Sequence, residues 1–182
     1  MNDTLSLPLA SIRIVAMDVD GTFTDGTLYY DAAGNVMKGF SARDGLGLEL
    51  LRRAGIIRGF ITGRVDGATE IRARYLNSDF LLTGIGDKAE ALRKISGDYG
   101  VPLAEILFIG DDLNDYTAFE VAGVSVAVEN ASDELKAAAH FVTQAKGGRG
   151  AVREVVDLLL RAKGIDPVAL WKTDKNTPVG SQ

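Results

Sequence analysis

Short runs dominated by apolar, often β-branched residues recur at 12–17 (IRIVAM), 56–61 (IIRGFI), 106–109 (ILFI) and 124–128 (VSVAV), bounded by Gly, Asp or Asn. Runs of this length without polar alternation predict strands of a parallel sheet covered on both faces. Weaker runs at 80–83 and 141–143 predict two more. Between them the apolar positions take helical spacing. One helix is predicted over 45–54, with Leu46, Leu50 and Leu51 on one face, and another over 68–76. A third spans 87–99, with Ala91, Leu92 and Ile95 inward and Gly100 as its stop. Segments 115–122, 133–139 and 151–163 complete the set. Strands alternating with helices imply βαβ units, hence an α/β fold with a doubly wound, mostly parallel, Rossmann-like sheet. One stretch breaks the alternation: TLYY at 27–30 and VMKGF at 36–40 flank DAAGN at 31–35. This predicts a β-hairpin flap just after the first strand. Beyond Gly164 the chain has two prolines and little periodicity. It reads as an extended or unstructured arm, which divides the chain into a domain at 1–164 and a tail at 165–182.

Composition narrows this picture. A chain of 182 residues with 46% hydrophobic positions suits one core, and splitting it would leave two small, unstapled ones. With no cysteine, disulfides and thiolate zinc sites are excluded. The N-terminal MNDTLSLPLASIR has no basic segment ahead of a long apolar core, so it makes a poor signal peptide. The apolar runs fall far short of the roughly 20 residues of a membrane span. The expectation is a soluble, cytoplasmic protein without membrane contact. A formal net charge of −5 offers nucleic acid no general attraction. An anionic substrate would need local Arg, Lys or metal charge against the global field.

Ligands of open parallel sheets sit beyond the C-terminal strand ends, and four reactive groups fall at or just beyond such ends. The first strand runs into DVDGT at 18–22. Alternation puts Asp18 and Asp20 on the same side, and Gly21 permits a sharp turn. Two carboxylates there can hold a hard cation and divide the labour of nucleophile and acid/base. The second strand ends in Thr62-Gly63-Arg64, where a hydroxyl, a backbone N–H and a guanidinium suit a tetrahedral oxyanion. Lys88 opens the helix after the third strand, an unfavourable place for a cation unless an anion sits there. The fourth strand ends in GDDLND at 110–115, and Asp111, Asp112 and Asp115 crowd charge that calls for a cation. Taken singly, each group has a plainer reading as a capped turn, a strand end or a solvated residue. The lone His140 makes neither a triad nor a zinc site and reads as structural. Trp171 reads as a docking anchor or an exposed aromatic, and Gly147–Gly150 as a loop closing over a site or a simple turn into the last helix.

In this order the four groups match the signature of the haloacid dehalogenase-like superfamily. The likeness extends along DVDGTFTDGTLYY, KGFSARDGLGLELL, ITGR with the run to Arg72, IGDDLNDYTAFEVAGVSVAVENA and GGRGAVREVVDLLL. Over these stretches the chain resembles the 3-deoxy-D-manno-octulosonate 8-phosphate phosphatase family of the lipopolysaccharide-sugar pathway. The resemblance implies that Asp18 is the nucleophile and forms an aspartyl-phosphate, and that Asp20 is the acid and then the base. Mg2+ is expected on the Asp18 carboxylate, the Asp20 carbonyl and Asp111, with Asp112 and Asp115 in support. Thr62 and Lys88 are expected on the phosphoryl oxygens. Ser41, Arg43, Asp44, Gly45, Gly63, Arg64 and Arg72, with Lys88, are expected around a sugar-acid phosphate. Asp20 has to carry a proton near neutral pH, so its carboxyl is expected to be raised relative to Asp18. Neither the gap from Asp20 to Thr62 nor that from Thr62 to Lys88 holds a cap domain. The family therefore implies a homotetramer in which a neighbouring subunit supplies the lid. Glu49 stands where some members carry Arg, and Thr22 replaces a common Val. Sister phosphatases of nine-carbon sialic-type sugar 9-phosphates tend to carry Glu where Arg64 stands, and Arg64 favours the eight-carbon acid. Two other classes compete. A signalling receiver uses similar residues, but its acidic pair comes first in the chain. A non-catalytic assembly module would not need every reactive residue intact.

Overall fold

In a computed structural model that describes residues 7–173, six parallel strands form one sheet flanked by helices. The strands are β1 (Ile14–Met17), β4 (Ile57–Ile61), β5 (Phe80–Leu82), β6 (Ile106–Gly110), β7 (Val124–Ala127) and β8 (Phe141–Val142), in the order β5-β4-β1-β6-β7-β8. All six runs read as strands are strands. The central strand β1 is buried on every residue, as expected for a strand covered on both faces. Its register places Ile14 beside Ile57 on one side and Ile106 on the other. The chain runs outward from β1 through β4 to β5, then returns to β6 beside β1. The order thus reverses at β1, and the crevice at a reversal is where such sheets bind ligands.

The hairpin is β2 (Tyr29–Tyr30) paired antiparallel with β3 (Val36–Met37). Asp31 closes its turn, accepting the N–H groups of Ala33 and Asn35 at 2.9 and 2.8 Å. The helices are α1 (Ala42–Arg53), α2 (Gly67–Tyr75), α3 (Lys88–Tyr99), α4 (Tyr116–Val121), α5 (Asp133–Ala138), α6 (Ala151–Ala162) and α7 (Pro167–Thr173). Helix α1 packs with α6 and α7, while α3 packs with α4 and α4 with α5.

Two expectations shift. Helix α1 starts at Ala42 rather than Gly45, because Ser41 caps it by accepting the Asp44 N–H at 3.2 Å. The reading of the chain beyond Gly164 as an arm without regular structure is corrected for residues 167–173, which form α7. Asp166 accepts the Val168 N–H at 2.9 Å and Pro167 takes the first helical position, where its missing N–H costs nothing. Trp171 packs on this same chain, with the Arg53 guanidinium 4.1 Å above its ring centroid. Residues 174–182 of the expected tail lie outside the described residues. No helix among the described residues is long and apolar enough to cross a membrane.

Candidate active site

Beyond the C-terminal ends of β1, β4 and β6 lies a cavity of about 370 Å³ lined by Asp18, Asp20, Thr62, Gly63, Arg64, Asp111, Asp112, Leu113 and Asn114. Asp18 directly follows β1, with its N–H bonded to the Ile109 carbonyl at 3.0 Å. The turn that follows has Gly21 at φ +101°, where a Cβ would run into the Asp111 carboxylate. Only glycine lets the first turn lie this close to the fourth motif. The loop at 147–150 lies against the same turn. Gly148 donates to the Thr22 carbonyl at 3.0 Å, a Cβ on Gly147 would collide with the Gly21 carbonyl, and Arg149 pairs with Asp25 at 3.0 Å. The loop therefore buttresses the first turn.

Lys88 begins α3, and its side chain is buried. Its ammonium lies 2.5 Å from Asp18 Oδ1 and also pairs with Asp115 Oδ1. Asp115 Oδ2 accepts the Asp111 N–H at 2.8 Å, so both oxygens of Asp115 are engaged. Thr62 is buried, and its hydroxyl oxygen accepts the Arg64 N–H at 3.2 Å, leaving its own proton free to donate. Arg64 is half exposed at the mouth, with Nε 3.4 Å from Asp20 Oδ2.

Carboxylate oxygens of Asp18, Asp111 and Asp115 lie within 4.8 Å of one another. Burial, and then the Asp115 charge, push the Asp18 carboxyl up to about 7 against the pull of Lys88. Burial, followed by the charges of Asp18 and Asp115, pushes Asp111 up to about 8. Burial pulls the Lys88 ammonium down, but Asp18 and Asp115 outweigh it and hold it above its usual range. Three carboxylates sharing one ammonium leave negative charge that a divalent cation would neutralise. Such a set of hard oxygen donors fits magnesium or calcium better than a softer metal.

A sequence model of the haloacid dehalogenase-like hydrolase family matches residues 76–155. The chain is 41% identical over 154 residues to the 3-deoxy-D-manno-octulosonate 8-phosphate phosphatase of Yersinia pestis, covering 85% of this chain and 82% of that protein. The chain belongs to the 3-deoxy-D-manno-octulosonate 8-phosphate phosphatase family. The Escherichia coli K12 phosphatase of this family is 38% identical over the same shares. The Moraxella catarrhalis phosphatase, solved in complex with magnesium ion, phosphate ion and a KDO molecule, superposes with a TM-score of 0.89 at 36% identity. That match covers 96% of this chain and 99% of the other. In keeping with this family of haloacid dehalogenase-like folds, the hairpin is the sole insertion after β1, and no cap domain is present among the described residues.

The remaining residues expected around the substrate stand apart from the cavity lining, about the N-terminus of α1. Arg72 is half buried, its guanidinium 5.6 Å from the Phe40 ring centroid and donating to the Ser41 carbonyl at 3.4 Å. Gly45 makes room for it, since a Cβ there would meet Arg72 Nη2 at 2.5 Å. Arg43 is exposed. Asp44 is fully buried and accepts the Gly150 and Arg153 N–H groups at 3.0 and 2.8 Å, so both its oxygens cap α6. Glu49 faces away and pairs with Arg52 and Arg53, each at 2.8 Å. His140 Nδ1 accepts the Ser125 N–H at 3.1 Å and bridges β7 to the start of β8.

The residue that the motifs did not flag is Lys38, at the end of the hairpin. Its side chain is fully buried, with Nζ 2.7 Å from both Asp20 and Asp66. Burial works to raise the Asp66 carboxyl, but bonds from Lys38 and the Thr69 N–H outweigh it and hold it low. Asp20 itself lies beside two cations, Lys38 and Arg64.

Proposed function

We propose that the protein hydrolyses 3-deoxy-D-manno-octulosonate 8-phosphate, with magnesium, to the free sugar acid and inorganic phosphate. The observation that carries this reading is the meeting of Asp18, Asp20, Thr62 and Asp111 at one strand-end cavity, with the Lys88 ammonium on Asp18. In this reading Asp18 attacks phosphorus and becomes an aspartyl-phosphate. Asp20 gives its proton to the leaving sugar oxygen. It then takes a proton from the water that attacks the aspartyl-phosphate, and both residues are restored. The Thr62 hydroxyl, the Gly63 N–H and the Lys88 ammonium hold phosphoryl oxygens. The Asp18 and Asp111 carboxylates and the Asp20 carbonyl would hold the cation, supported by Asp115 and Asp112. When bound, magnesium neutralises charge on the transferring group. Arg64 at the mouth suits the sugar carboxylate, and Ser41, Arg43, Gly45 and Arg72 complete the candidate contacts. Asp44, closed off by α6, is assigned to the scaffold.

The reading includes a cytoplasmic homotetramer in which a neighbour's hairpin closes the open cavity. Support comes from Tyr29, Tyr30 and Met37, which the hairpin exposes by 57–60%, and from the absence of cysteine. A monomer with full activity in solution would overturn the shared lid.

The test is phosphate release with magnesium from a panel holding the eight-carbon acid 8-phosphate, a sialic-type 9-phosphate and hexose phosphates. A strong preference for the eight-carbon acid is expected, and equal weak turnover of all would overturn the substrate assignment.

Cation binding should depend on pH in a defined direction. Carboxyls raised to about 7 and about 8 hold more protons folded than unfolded above pH ~4, the ordinary carboxylate range. Cation-free protein therefore loses stability as pH rises through this window. Magnesium binds the deprotonated groups, so its affinity should climb with pH, by up to about tenfold per unit for each proton displaced. Melting curves should show a larger magnesium-induced shift at pH 8.5 than at pH 6, and an unchanged shift would count against this ligand set.

A further inference from the structure

Lys38 has no part in the chemistry assigned above, yet its surroundings are built around the candidate acid. Strand β3 ends at Met37, and the next side chain turns inward with no exposure. Its Nζ lies 2.7 Å from Asp20 Oδ1 and 3.0 Å from Oδ2, with only the second contact aligned as a hydrogen bond. It also donates to Asp66 Oδ2 at 2.7 Å and Thr69 Oγ1 at 3.1 Å. An ammonium has three protons to give, and three side chains take them. Asp66 is itself fixed as the cap of α2, accepting the Thr69 N–H at 2.9 Å. A rigid chain of contacts thus runs from α2 through Lys38 to Asp20. Burying an ammonium is costly unless it is fully paired, and the hairpin turn is already closed by Asp31.

We propose that Lys38 is a positioning residue: it holds the Asp20 carboxyl where it meets the leaving oxygen, and so ties the acid's placement to the hairpin. The proposal rests on the reading of Asp20 as the acid. In that step the P–O bond breaks, its electron pair stays on the sugar oxygen, and the proton of Asp20 neutralises that oxygen.

Leaving-group dependence separates positioning from a merely structural role. An alkyl phosphate needs the proton, whereas p-nitrophenyl phosphate departs as a stabilised phenolate without one. The quantity to compare is kcat/KM, which covers the steps through the first P–O cleavage. In Lys38→Met it is expected to fall about thirtyfold or more for the alkyl phosphate that the panel shows to be turned over best, and far less for p-nitrophenyl phosphate. Asp20→Asn is run beside it and should show the same selectivity. Equal losses on both substrates in Lys38→Met, or no loss on either, would overturn the proposal while a selective Asp20→Asn leaves the acid reading standing. An unselective Asp20→Asn would instead overturn the acid reading. If Lys38→Met fails to fold, Lys38→Arg serves. It keeps the charge, but its planar fork does not reproduce the three-way contact, so a smaller loss of the same selectivity is expected and an unselective one overturns the proposal.

Discussion

Replacing Asp18 by asparagine should abolish magnesium-dependent phosphate release, by about four orders of magnitude or more, or ~5.5 kcal/mol on the barrier. The amide has the shape of the carboxyl but cannot attack phosphorus. The same change should leave the cation-free fold as stable or more so. Asp18 is held out of water and near the Asp115 charge, and these two effects, burial the larger, raise its carboxyl. Removing its charge relieves that strain, while Lys88 keeps Asp115. A malachite-green phosphate assay and thermal melts in chelator check the pair of outcomes. Retained turnover would discard the nucleophile assignment. A marked drop in melting temperature would mean that the Asp18–Lys88 pair is a structural bond.

Lys88→Met should be the most damaging change to stability at the site. The ammonium is the cation that directly pairs with Asp18 and Asp115, and all three groups are buried. Breaking a buried pair by removing one partner costs about 3–5 kcal/mol, and phosphoryl oxygens lose a partner as well. The sign of the pH dependence follows from the groups left behind. A lysine held above its usual range stabilises the fold throughout neutral pH, and that effect is lost as pH rises from the ordinary lysine range through the raised value. Asp111 and then Asp18 take up protons as pH falls through about 8 and about 7, which removes the repulsion that Lys88 offsets. Urea unfolding in chelator should show the gap between wild type and variant larger at pH 8.5 than at pH 6. A gap independent of pH would point to lost packing of the lysine stem.

The sheet was legible because its strands are continuous apolar runs that only a doubly covered parallel strand accommodates. The reactive groups were legible because the topology delivers every parallel strand end to one edge, so Asp18, Thr62 and Asp111 had to approach one another. Helix α1 was read three residues short at its start because its apolar face begins only at Leu46, although the segment read as helix already held two poor helix formers, Gly45 and Gly47. At the first a Cβ would meet Arg72 Nη2 at 2.5 Å, while at the second it would find only ordinary contact with Val156 and Arg153. Helix α7 carried a local signal, an Asp166-Pro167 start, but seven residues are too few for a periodic pattern. Lys38 and Asp44 show the limit most plainly. In sequence one is a lysine on a hairpin and the other an acid in a helix's first turn, both ordinarily solvated. Their partners lie 18 and 28 residues away for Lys38, and 106 and 109 away for Asp44. Pairings across such separations leave no local trace.

The contact of Gly147 and Gly148 with the Gly21–Thr22 backbone has a consequence for biosynthesis. The segment that carries the nucleophile is made some 125 residues before the loop that braces it. Domains tend to fold as units once their sequence is available, and here Asp44 likewise waits for the N–H groups of Gly150 and Arg153. A nascent chain therefore carries its acidic cluster unassembled while those residues are made, and hydrolytic competence arrives only when α6 has emerged.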